Sequence, residues 1–593
     1  MYCKLNYHRA PAPAFVLCSL SRQACTPMHS TRLNRRRPIP PTGPIQQTAM
    51  LRIDNPRVAL FLTLLLVLAF TLPVAGLVGE APLVTDDPVM AAAALDMAGA
   101  PEFTLDMARG YLTGLPPLYP MAAAAISHGA APFFQGTTAL RLTSALFSLA
   151  TLVLFFFFAL RYGGRRFAIL AVALLVTMPG FAFGSSWIGR DPALGFFLMA
   201  SVTAIAKAFF DDSPVWILMA GVATAGAFLT GAWDGMPLIA CLWCTGIVWF
   251  VGTKKPNRAT HVRHLFFHLA ALLIVLVLTG GGIATQFIGT TEPPLTQGFW
   301  MPAGTPFPSP DLPELMVRIL ANTWPWTPLF FLYAGLTTAQ TLRNGTFPAT
   351  PIFLAVWFFS ALLLPLSGDT GVTPMLPPLA LMATFILYDG LSVWVKRYAT
   401  AWSGTVILLL FILAISPGLR PLAHRADHQV LTGLLEGGLT SPLAAAGFVL
   451  AAITCMVKTI PLTRTGRLLT ITAILWITLA NGPFSAVAGH RAMEITPLIT
   501  AIKTHPHKGT AAFGVDRRIR ASLCFYGQLH LLPADNLERC YDILKGGDPD
   551  FDTLLMQSDA MDHLPEALSM VPVTIVKKLP LRQGGSLLFV QGQ

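Results

Sequence analysis

The sequence predicts a mainly α-helical, multi-pass membrane protein with about 13 transmembrane helices and a small external α/β domain at its C-terminal end. The first observation is composition: 54% of the 593 residues are hydrophobic, 12% are charged, and the mean hydropathy is +0.61. Soluble domains carry about 25% charged residues. The second observation is a series of apolar segments near the ~20 residues that a helix needs to span a bilayer.

Thirteen windows meet this requirement and define a transmembrane domain over 57–483. They are 58–78, 137–160, 166–183, 192–210, 214–231, 236–252, 264–285, 324–341, 350–366, 374–394, 401–416, 442–457 and 467–481. The first two are separated by a long loop over 79–136.

The loops between the windows alternate in charge. Lys and Arg concentrate in every second loop, as in Arg161, Arg165 and Arg166, while most acids lie in the others. Because cytoplasmic loops are rich in Lys and Arg, we predict a cytoplasmic N-terminus and a periplasmic C-terminus in a bacterial inner membrane. One inside loop departs from the rule, around Asp211 and Asp212.

The N-terminal tail, 1–56, is basic and rich in Pro, and it shows no periodicity. Residues 1–57 hold nine Lys or Arg and one acid. We expect a disordered segment, or an over-extended start with Met50 as the alternative first residue. Beside a membrane span, these charges are better explained by orientation than by nucleic-acid binding.

The polar C-terminal region, 484–593, has no candidate span and is predicted to be a periplasmic α/β domain. β-like runs occur at Thr510–Val515, Thr553–Met556, Val573–Val576 and Ser586–Val590, and a helical stretch at Asn536–Lys545. Cys524 and Cys540 lie in this region. Because the periplasm is oxidising, they are candidates for a disulfide; two unpaired buried thiols are the open alternative.

Two outside loops contain an acid followed by proline. The first reads Val84-Thr-Asp-Asp-Pro88 and the second Arg190-Asp191-Pro192. Asp or Asn before a Pro at the first helical position is a typical helix N-cap. A carboxylate near a bilayer is costly unless it is paired or used, so Asp86, Asp87 and Asp191 are also candidates for chemistry.

The order of motifs resembles that of the GT-C glycosyltransferases, in particular the lipid A aminoarabinose transferase and protein O-mannosyltransferase group. After the first span come the acidic pair Asp86-Asp87, the stretch "GLPPLYP" at 114–120 and Arg141-Leu-Thr-Ser-Ala-Leu146. A basic turn, "RYGGRR", and Asp191 in the second outside loop follow. The resemblance covers about residues 55–593 and implies the GT-C fold.

The resemblance implies an inverting transfer of a sugar from a polyprenyl (undecaprenyl) phosphate donor on the periplasmic face. The acceptor is a lipid A, glycolipid, glycan or protein. Asp86, with its neighbour Asp87, corresponds to the main catalytic carboxylate. Asp191 corresponds to the second acid, which positions the acceptor or joins Asp86 at a divalent metal such as Mg²⁺ or Mn²⁺. The metal requirement stays open, and no other cofactor is implied.

Three cations of the family pattern are missing from this sequence. Their positions are occupied by Leu115, by Gly231 or Trp233, and near Gly368. Arginine binds phosphate through bidentate contacts, so the remaining outside candidates for substrate or phosphate binding are Arg109, Arg141, Arg190, Arg318 and, from the "LYP" stretch, Tyr119. The alternatives are a solvated loop position for Arg109 and a side chain that snorkels at a span end for Arg141.

Two other classes remain as alternatives to an enzyme. A transporter or flippase of a lipid-linked intermediate would carry its ionisable residues inside the spans, whereas here they cluster at the outer ends. The second alternative is a non-catalytic membrane scaffold, which the three missing cations make more credible. The expected partners are therefore the membrane, a lipid-linked sugar donor and an acceptor.

Overall fold

The computed structural model describes the chain from Asp87 to Gly592 with gaps. The predicted tail over 1–56, the alternative start at Met50 and the first predicted span lie outside the described residues. The described stretches are 87–99, 117–130, 137–185, 187–211, 213–231, 235–254, 258–287, 312–344, 349–366, 373–388, 393–414, 440–456, 464–480, 497–505, 508–515, 517–527, 529, 531–533, 537–548, 550–558, 573–580 and 586–592.

Helices dominate the chain before residue 500, as the apolar windows predict. They are α1 (Pro88–Gly99), α2 (Leu118–Ala130), α3 (Thr137–Val176), α4 (Pro179–Gly184), α5 (Asp191–Phe210), α6 (Val215–Gly231), α7 (Met236–Lys254), α8 (Arg258–Phe287), α9 (Leu312–Thr323), α10 (Thr327–Asn344), α11 (Ala349–Leu366), α12 (Leu376–Tyr388), α13 (Val393–Ala414), α14 (Thr440–Met456) and α15 (Arg464–Ala480). Within the described residues, three segments are long and apolar enough to cross a bilayer: Thr138–Val176, Asp191–Phe210 and Val262–Gly281.

Helix α3 contains a break between two predicted spans. Gly163 and Gly164 have non-helical backbone angles, with φ −149° and φ 71° respectively. A φ of 71° is a left-handed conformation that suits glycine because it has no Cβ. The break falls between the predicted windows 137–160 and 166–183. The second window also runs past the end of α3, since Pro179 starts the separate helix α4.

The centre of the helical bundle is built on α3 and α5. Helix α5 packs against α3, α6 and α7, and α12 packs against α3. Helix α8 lies against α6 at Gly221, where a Cβ would stand 2.9 Å from the carbonyl oxygen of Ala271. Small residues allow such close approach between membrane helices. The outer face of α8 stays exposed along Leu265, Leu269 and Leu273, which suits contact with lipid.

A salt bridge explains the inside loop that departs from the charge rule. Arg161 Nη2, just before the break in α3, lies 2.5 Å from Asp211 Oδ1 at the end of α5. On the same end of α5, Lys207 Nζ stands 4.0 Å from the ring centre of Trp216. The Asp211 carboxylate is thus paired with a basic residue from another loop, which the order of charges along the chain does not show.

The C-terminal region contains a five-stranded mixed sheet. Its elements are α16 (497–504), β1 (Thr510–Phe513), α17 (Arg517–Gly527), β2 (Leu531–Pro533), α18 (Leu537–Leu544), β3 (Thr553–Gln557), β4 (Val573–Pro580) and β5 (Ser586–Gly592). The strand order is β2-β1-β3-β5-β4. β1 is parallel to β2 and β3, while β5 is antiparallel to β3 and β4. The four predicted strands are confirmed; the three-residue edge strand β2 was missed.

The two faces of this sheet bury different helices. Ala511, Leu554 and Val590 are in register across β1, β3 and β5 and share a buried cluster with α18. Their neighbours Ala512 and Leu555 share the opposite cluster with α16 and α17. Because successive side chains of a strand point to opposite faces, the sheet separates α17 from α18.

This separation corrects the disulfide prediction. Cys540 on α18 is a free, buried thiol, while Cys524 belongs to α17, and its side chain lies outside the described part. A disulfide needs Cα atoms within about 7 Å, and here a sheet with side chains on both faces intervenes. Burial raises the pKa of the Cys540 thiol to about 11. The alternative of an unpaired buried thiol therefore holds for Cys540.

Candidate active site

Asp87 is the N-cap of α1, as the sequence predicts. Its Oδ1 atom accepts hydrogen bonds from the backbone N–H of Val89 at 2.9 Å and of Met90 at 3.3 Å. Pro88 is the first helical residue, where its missing N–H costs nothing. Asp86 lies outside the described residues. One oxygen of Asp87 is therefore engaged in holding the start of α1.

The two outside loops that carry the acids are joined through their backbones. The N–H of Asp87 donates to the carbonyl oxygen of Ile188 at 2.7 Å. Ile188 lies three residues before Asp191 and is buried. The structure thus brings the first acid–proline segment against the second, although they lie about a hundred residues apart in sequence. Two acidic segments that share a site are expected to lie close together. Their separation along the chain does not predict this contact.

Tyr119 links the same loop to α3. Its hydroxyl accepts a hydrogen bond from the N–H of Gly189 at 3.1 Å and lies 2.8 Å from Ser144 Oγ. The Tyr119 side chain is fully buried. A buried hydroxyl that is bonded on both sides fixes the relative position of α2, α3 and the 187–190 turn. We therefore assign Tyr119 a role in shaping the site.

Arg141 occupies the first turns of α3 and is buried, with 1% of its surface exposed. It precedes Ser144 by three residues, so the two lie on one face of the helix. Ser144 bonds Tyr119, and Leu140 shares a buried cluster with Tyr119 and Ile188. A snorkelling side chain would have an exposed head, so that alternative is excluded. A guanidinium keeps its charge when buried, which places a positive charge at this end of the bundle.

Asp191 is the first residue of α5, and the N-cap is Arg190. The cap makes no side-chain hydrogen bond, and its angles are helical, with φ −71° and ψ −22°. The alternative in which Asp191 is only the cap of α5 therefore does not hold, because the cap lies one residue earlier. Its half-buried carboxylate lies in the first turn, where the helix dipole favours negative charge. Asp191 thus lies inside the first turn of α5, one residue after the cap.

The structure brings together part of the predicted site. Asp87, Tyr119, Arg141, Arg190 and Asp191 all lie at the end of the bundle where α1, α2, α3 and α5 begin. Asp86 and Arg109 fall outside the described stretches. Arg318 lies on α9, but its side chain is outside the described part of the chain. Helix α9 packs against α4, and α4 leads into the 187–190 turn.

Sequence reasoning missed four residues that contribute to this region. Ser144 could have been found from its spacing to Arg141 within the quoted motif. The backbones of Ile188 and Gly189 leave no signal in side-chain identity. Phe525, from α17, shares the buried cluster of Tyr119 and Ile188, and nothing local indicates that it reaches so far from its own sheet.

The donor set for a metal is only partly described. Among the described residues, no group of three or more His, Cys, Asp or Glu side chains could hold a metal ion. Asp191 offers a hard oxygen ligand of the kind that Mg²⁺ and Mn²⁺ prefer. One oxygen of Asp87 already accepts two backbone hydrogen bonds, so it is the less suitable ligand.

Two substitutions of Asp87 distinguish the contribution of its helix cap to stability from that of its negative charge. Asn caps helices about as well as Asp, whereas Ala loses about 1 kcal/mol. We expect Asp87→Ala to lower the thermal midpoint of the detergent-solubilised protein and Asp87→Asn to leave it unchanged. The measurement is thermal unfolding followed by intrinsic fluorescence. Equal destabilisation by both substitutions would show that the carboxylate charge, and not the cap, stabilises α1.

Comparison with known proteins supports the predicted class. Residues 105–284 match the family model of dolichyl-phosphate-mannose-protein mannosyltransferase, a stretch that contains Tyr119, Arg141 and Asp191. No curated protein sequence matches this chain.

Two solved structures share the fold. ArnT from Cupriavidus metallidurans in the apo state superimposes with a TM-score of 0.63 at 15% identity, over 90% of this chain and 98% of that one. The same protein bound to undecaprenyl phosphate gives 0.62 at 16% identity, over 90% and 97%. The predicted resemblance is confirmed: the chain has the fold of ArnT, and the mannosyltransferase family model matches 105–284, which leaves out Asp87. The chain is a mainly helical, multi-pass membrane protein with a small C-terminal sheet.

Proposed function

We propose that this protein transfers a sugar from a polyprenyl-phosphate donor to an acceptor at the outer face of a bacterial inner membrane, with inversion at the anomeric carbon. The observation that carries the proposal is the junction of Asp87 with Ile188. It sets Asp191 and the buried Arg141 at the same end of a GT-C bundle. The structure of ArnT with undecaprenyl phosphate supports a lipid-phosphate donor.

The reaction needs two kinds of group. An acceptor oxygen attacks the anomeric carbon, its proton passes to a carboxylate, and the bond between that carbon and the phosphate oxygen breaks. The leaving group is the polyprenyl phosphate, which carries the electron pair of that bond. A general base accelerates the attack, and a cation stabilises the departing charge.

The carboxylates of the first and second loops act on the acceptor hydroxyl in this proposal. Asp86, which directly precedes the capping Asp87, takes the acceptor proton, and Asp191 positions the acceptor hydroxyl. A divalent metal such as Mg²⁺ or Mn²⁺, which would help to neutralise the phosphate, would be held by Asp86 and Asp191. Asp87 contributes by anchoring the start of α1 to the second loop.

Arg141 supplies the cationic help in place of the lysines that this sequence lacks. Its guanidinium is buried, so a contact to phosphate is screened little by water. The planar fork of arginine matches two phosphate oxygens. Arg190, which precedes Asp191, is the second cation of this end of the bundle. Arg109 and Arg318 remain further candidates for the donor phosphate.

Release of polyprenyl phosphate is the best test, because every donor of this class yields it. Purified protein in detergent is mixed with undecaprenyl-phosphate sugars and with lipid A, glycolipid or peptide acceptors, and products are measured by mass spectrometry. We expect acceptor-dependent release of undecaprenyl phosphate together with a glycosylated acceptor. Detergent removes the second compartment that a flippase needs. Absence of release with every donor and acceptor class would overturn the proposal.

A further inference from the structure

Helix α17 of the C-terminal sheet presents two opposite faces to two different partners. Ile519 and Leu523 pack toward the sheet, in the cluster with Phe589. Ala521 and Phe525, each two residues further along, belong to clusters with the helices of the membrane region. Two residues advance about 200° around a helix, so the pairs lie on opposite sides. Helix α17 is therefore sandwiched between the sheet and α1.

The second face of α17 lies on the helix that carries Asp87. Helices α1 and α17 pack directly against each other. Ala521 is fully buried in a cluster with Ala92, Ala93 and Met97 of α1. The run of alanines in α1 offers a flat surface on which a helix can lie closely.

Phe525 extends this contact into the candidate active site. Its ring is 4% exposed, and it shares a buried cluster with Met90, Tyr119 and Ile188. Ile188 accepts the hydrogen bond of the Asp87 N–H, and the next residue bonds Tyr119. The ring of Phe525 thus packs among the apolar residues around the hydrogen bond from Asp87 to Ile188.

Helix α1 depends on such packing because it is short. It has 12 residues, and an isolated helix of this length is marginal in water. Its main packing partners among the described elements are α2 and α17. When α17 is displaced, α1 loses one of these two supports, and Asp87 at its start loses its fixed position.

We propose that Phe525 is a positioning residue for sugar transfer and that the C-terminal sheet, docked through α17, completes the active site without contributing a reacting group. This rests on the function proposed above. A displacement of about 1 Å in catalytic groups can cost 10²-fold in rate. Phe525→Ala should therefore lower kcat by about 10- to 100-fold and change KM for the donor little. Phe525→Leu, which keeps most of the apolar volume, should restore most of the rate.

The control is a second phenylalanine of the same sheet region. Phe551 is buried on the opposite face, in the cluster with Cys540 and Leu554. Phe551→Ala weakens the same domain without touching α1, so we expect a lower thermal midpoint and an unchanged kcat. Both variants are compared in the full-length protein.

Hydrogen exchange provides a readout that does not depend on activity. Peptides covering 88–99 should take up deuterium faster in Phe525→Ala than in wild type, and at the wild-type rate in Phe551→Ala. If Phe525→Ala does not accumulate, Phe525→Leu and Phe551→Leu are compared in the same way, and a small increase confined to the Phe525 variant is expected.

The outcomes separate the two proposals. A wild-type protein without transfer activity defeats the proposed function, while the exchange data still decide whether α17 holds α1. Wild-type kcat and wild-type exchange in Phe525→Ala would overturn the positioning role. An equal loss of kcat in Phe551→Ala would also overturn it, because domain stability, and not this contact, would then control the rate.

Discussion

Replacing Asp191 by Asn is expected to reduce sugar transfer by about 10²-fold, the loss that a misplaced reacting group can cause. Asn keeps the size and polarity of the side chain but cannot carry its negative charge. The helix start should persist, because Arg190 and not Asp191 is the cap. Asp86→Asn should have an effect of the same order. The measurement is the initial rate of undecaprenyl-phosphate release under donor saturation.

The matched control lies on the same helix. Asp211, at the other end of α5, pairs with Arg161. A helix of 20 residues is about 30 Å long, so Asp211 lies far from Asp191. Asp211→Asn should leave the rate within a factor of about two, because surface ion pairs contribute little. Full activity in both Asp86→Asn and Asp191→Asn would remove the catalytic assignment of these carboxylates. A comparable loss in Asp211→Asn would show that the substitutions act through the stability of α5.

Replacing Arg141 by Lys is expected to lower kcat by about 10²-fold, comparable to the loss of one donor to a developing charge. Lysine keeps the positive charge but lacks the planar fork that contacts two phosphate oxygens. Arg141→Gln would leave no positive charge at the phosphate, so we expect a larger loss of kcat than in Arg141→Lys. Rates and KM for the donor should be measured with membranes of equal protein content.

Arg161→Lys is the control for this substitution, since Arg161 lies on the same helix beside the break at Gly163. It should leave the kinetics unchanged, because its partner Asp211 lies at the other end of the bundle. If Arg141→Lys raised KM for the donor without lowering kcat, Arg141 would bind the ground state and the transition state equally. Wild-type kinetics in Arg141→Gln would exclude a phosphate contact.

Much of the fold follows from local patterns of residues. Apolar windows predicted helices that the structure confirms from α3 onward, and the break at Gly163 falls between two of these windows. Short β-like runs predicted four of the five strands. The cap of Asp87 followed from one dipeptide, Asp87-Pro88. These features depend on residues within a few positions of one another, where hydrophobic period and backbone preference decide the structure.

The candidate site was predicted less completely. The sequence pointed to Arg141 and Asp191 through a resemblance in motif order, but it left open a helix cap for Asp191 and a snorkelling side chain for Arg141. The structure excludes both alternatives: the cap lies one residue earlier, and the guanidinium is buried. Position relative to a helix end and depth in the bundle depend on neighbouring segments, which a single window does not contain.

By itself, the sequence determined the class of protein and the identity of the residues available for chemistry. Composition indicates a multi-pass membrane protein, and two acid–proline segments lie in loops on one side of the predicted membrane. Only the tertiary structure decided which of these residues meet. The bond from Gly189 to Tyr119 joins residues 70 positions apart, and α17 reaches α1 across most of the chain.

The same holds for the cysteines, which share a region of sequence yet lie on helices that cover opposite faces of the sheet. Such juxtapositions arise because apolar surfaces bury one another without regard to sequence distance, so no local pattern records the partner that each surface will find.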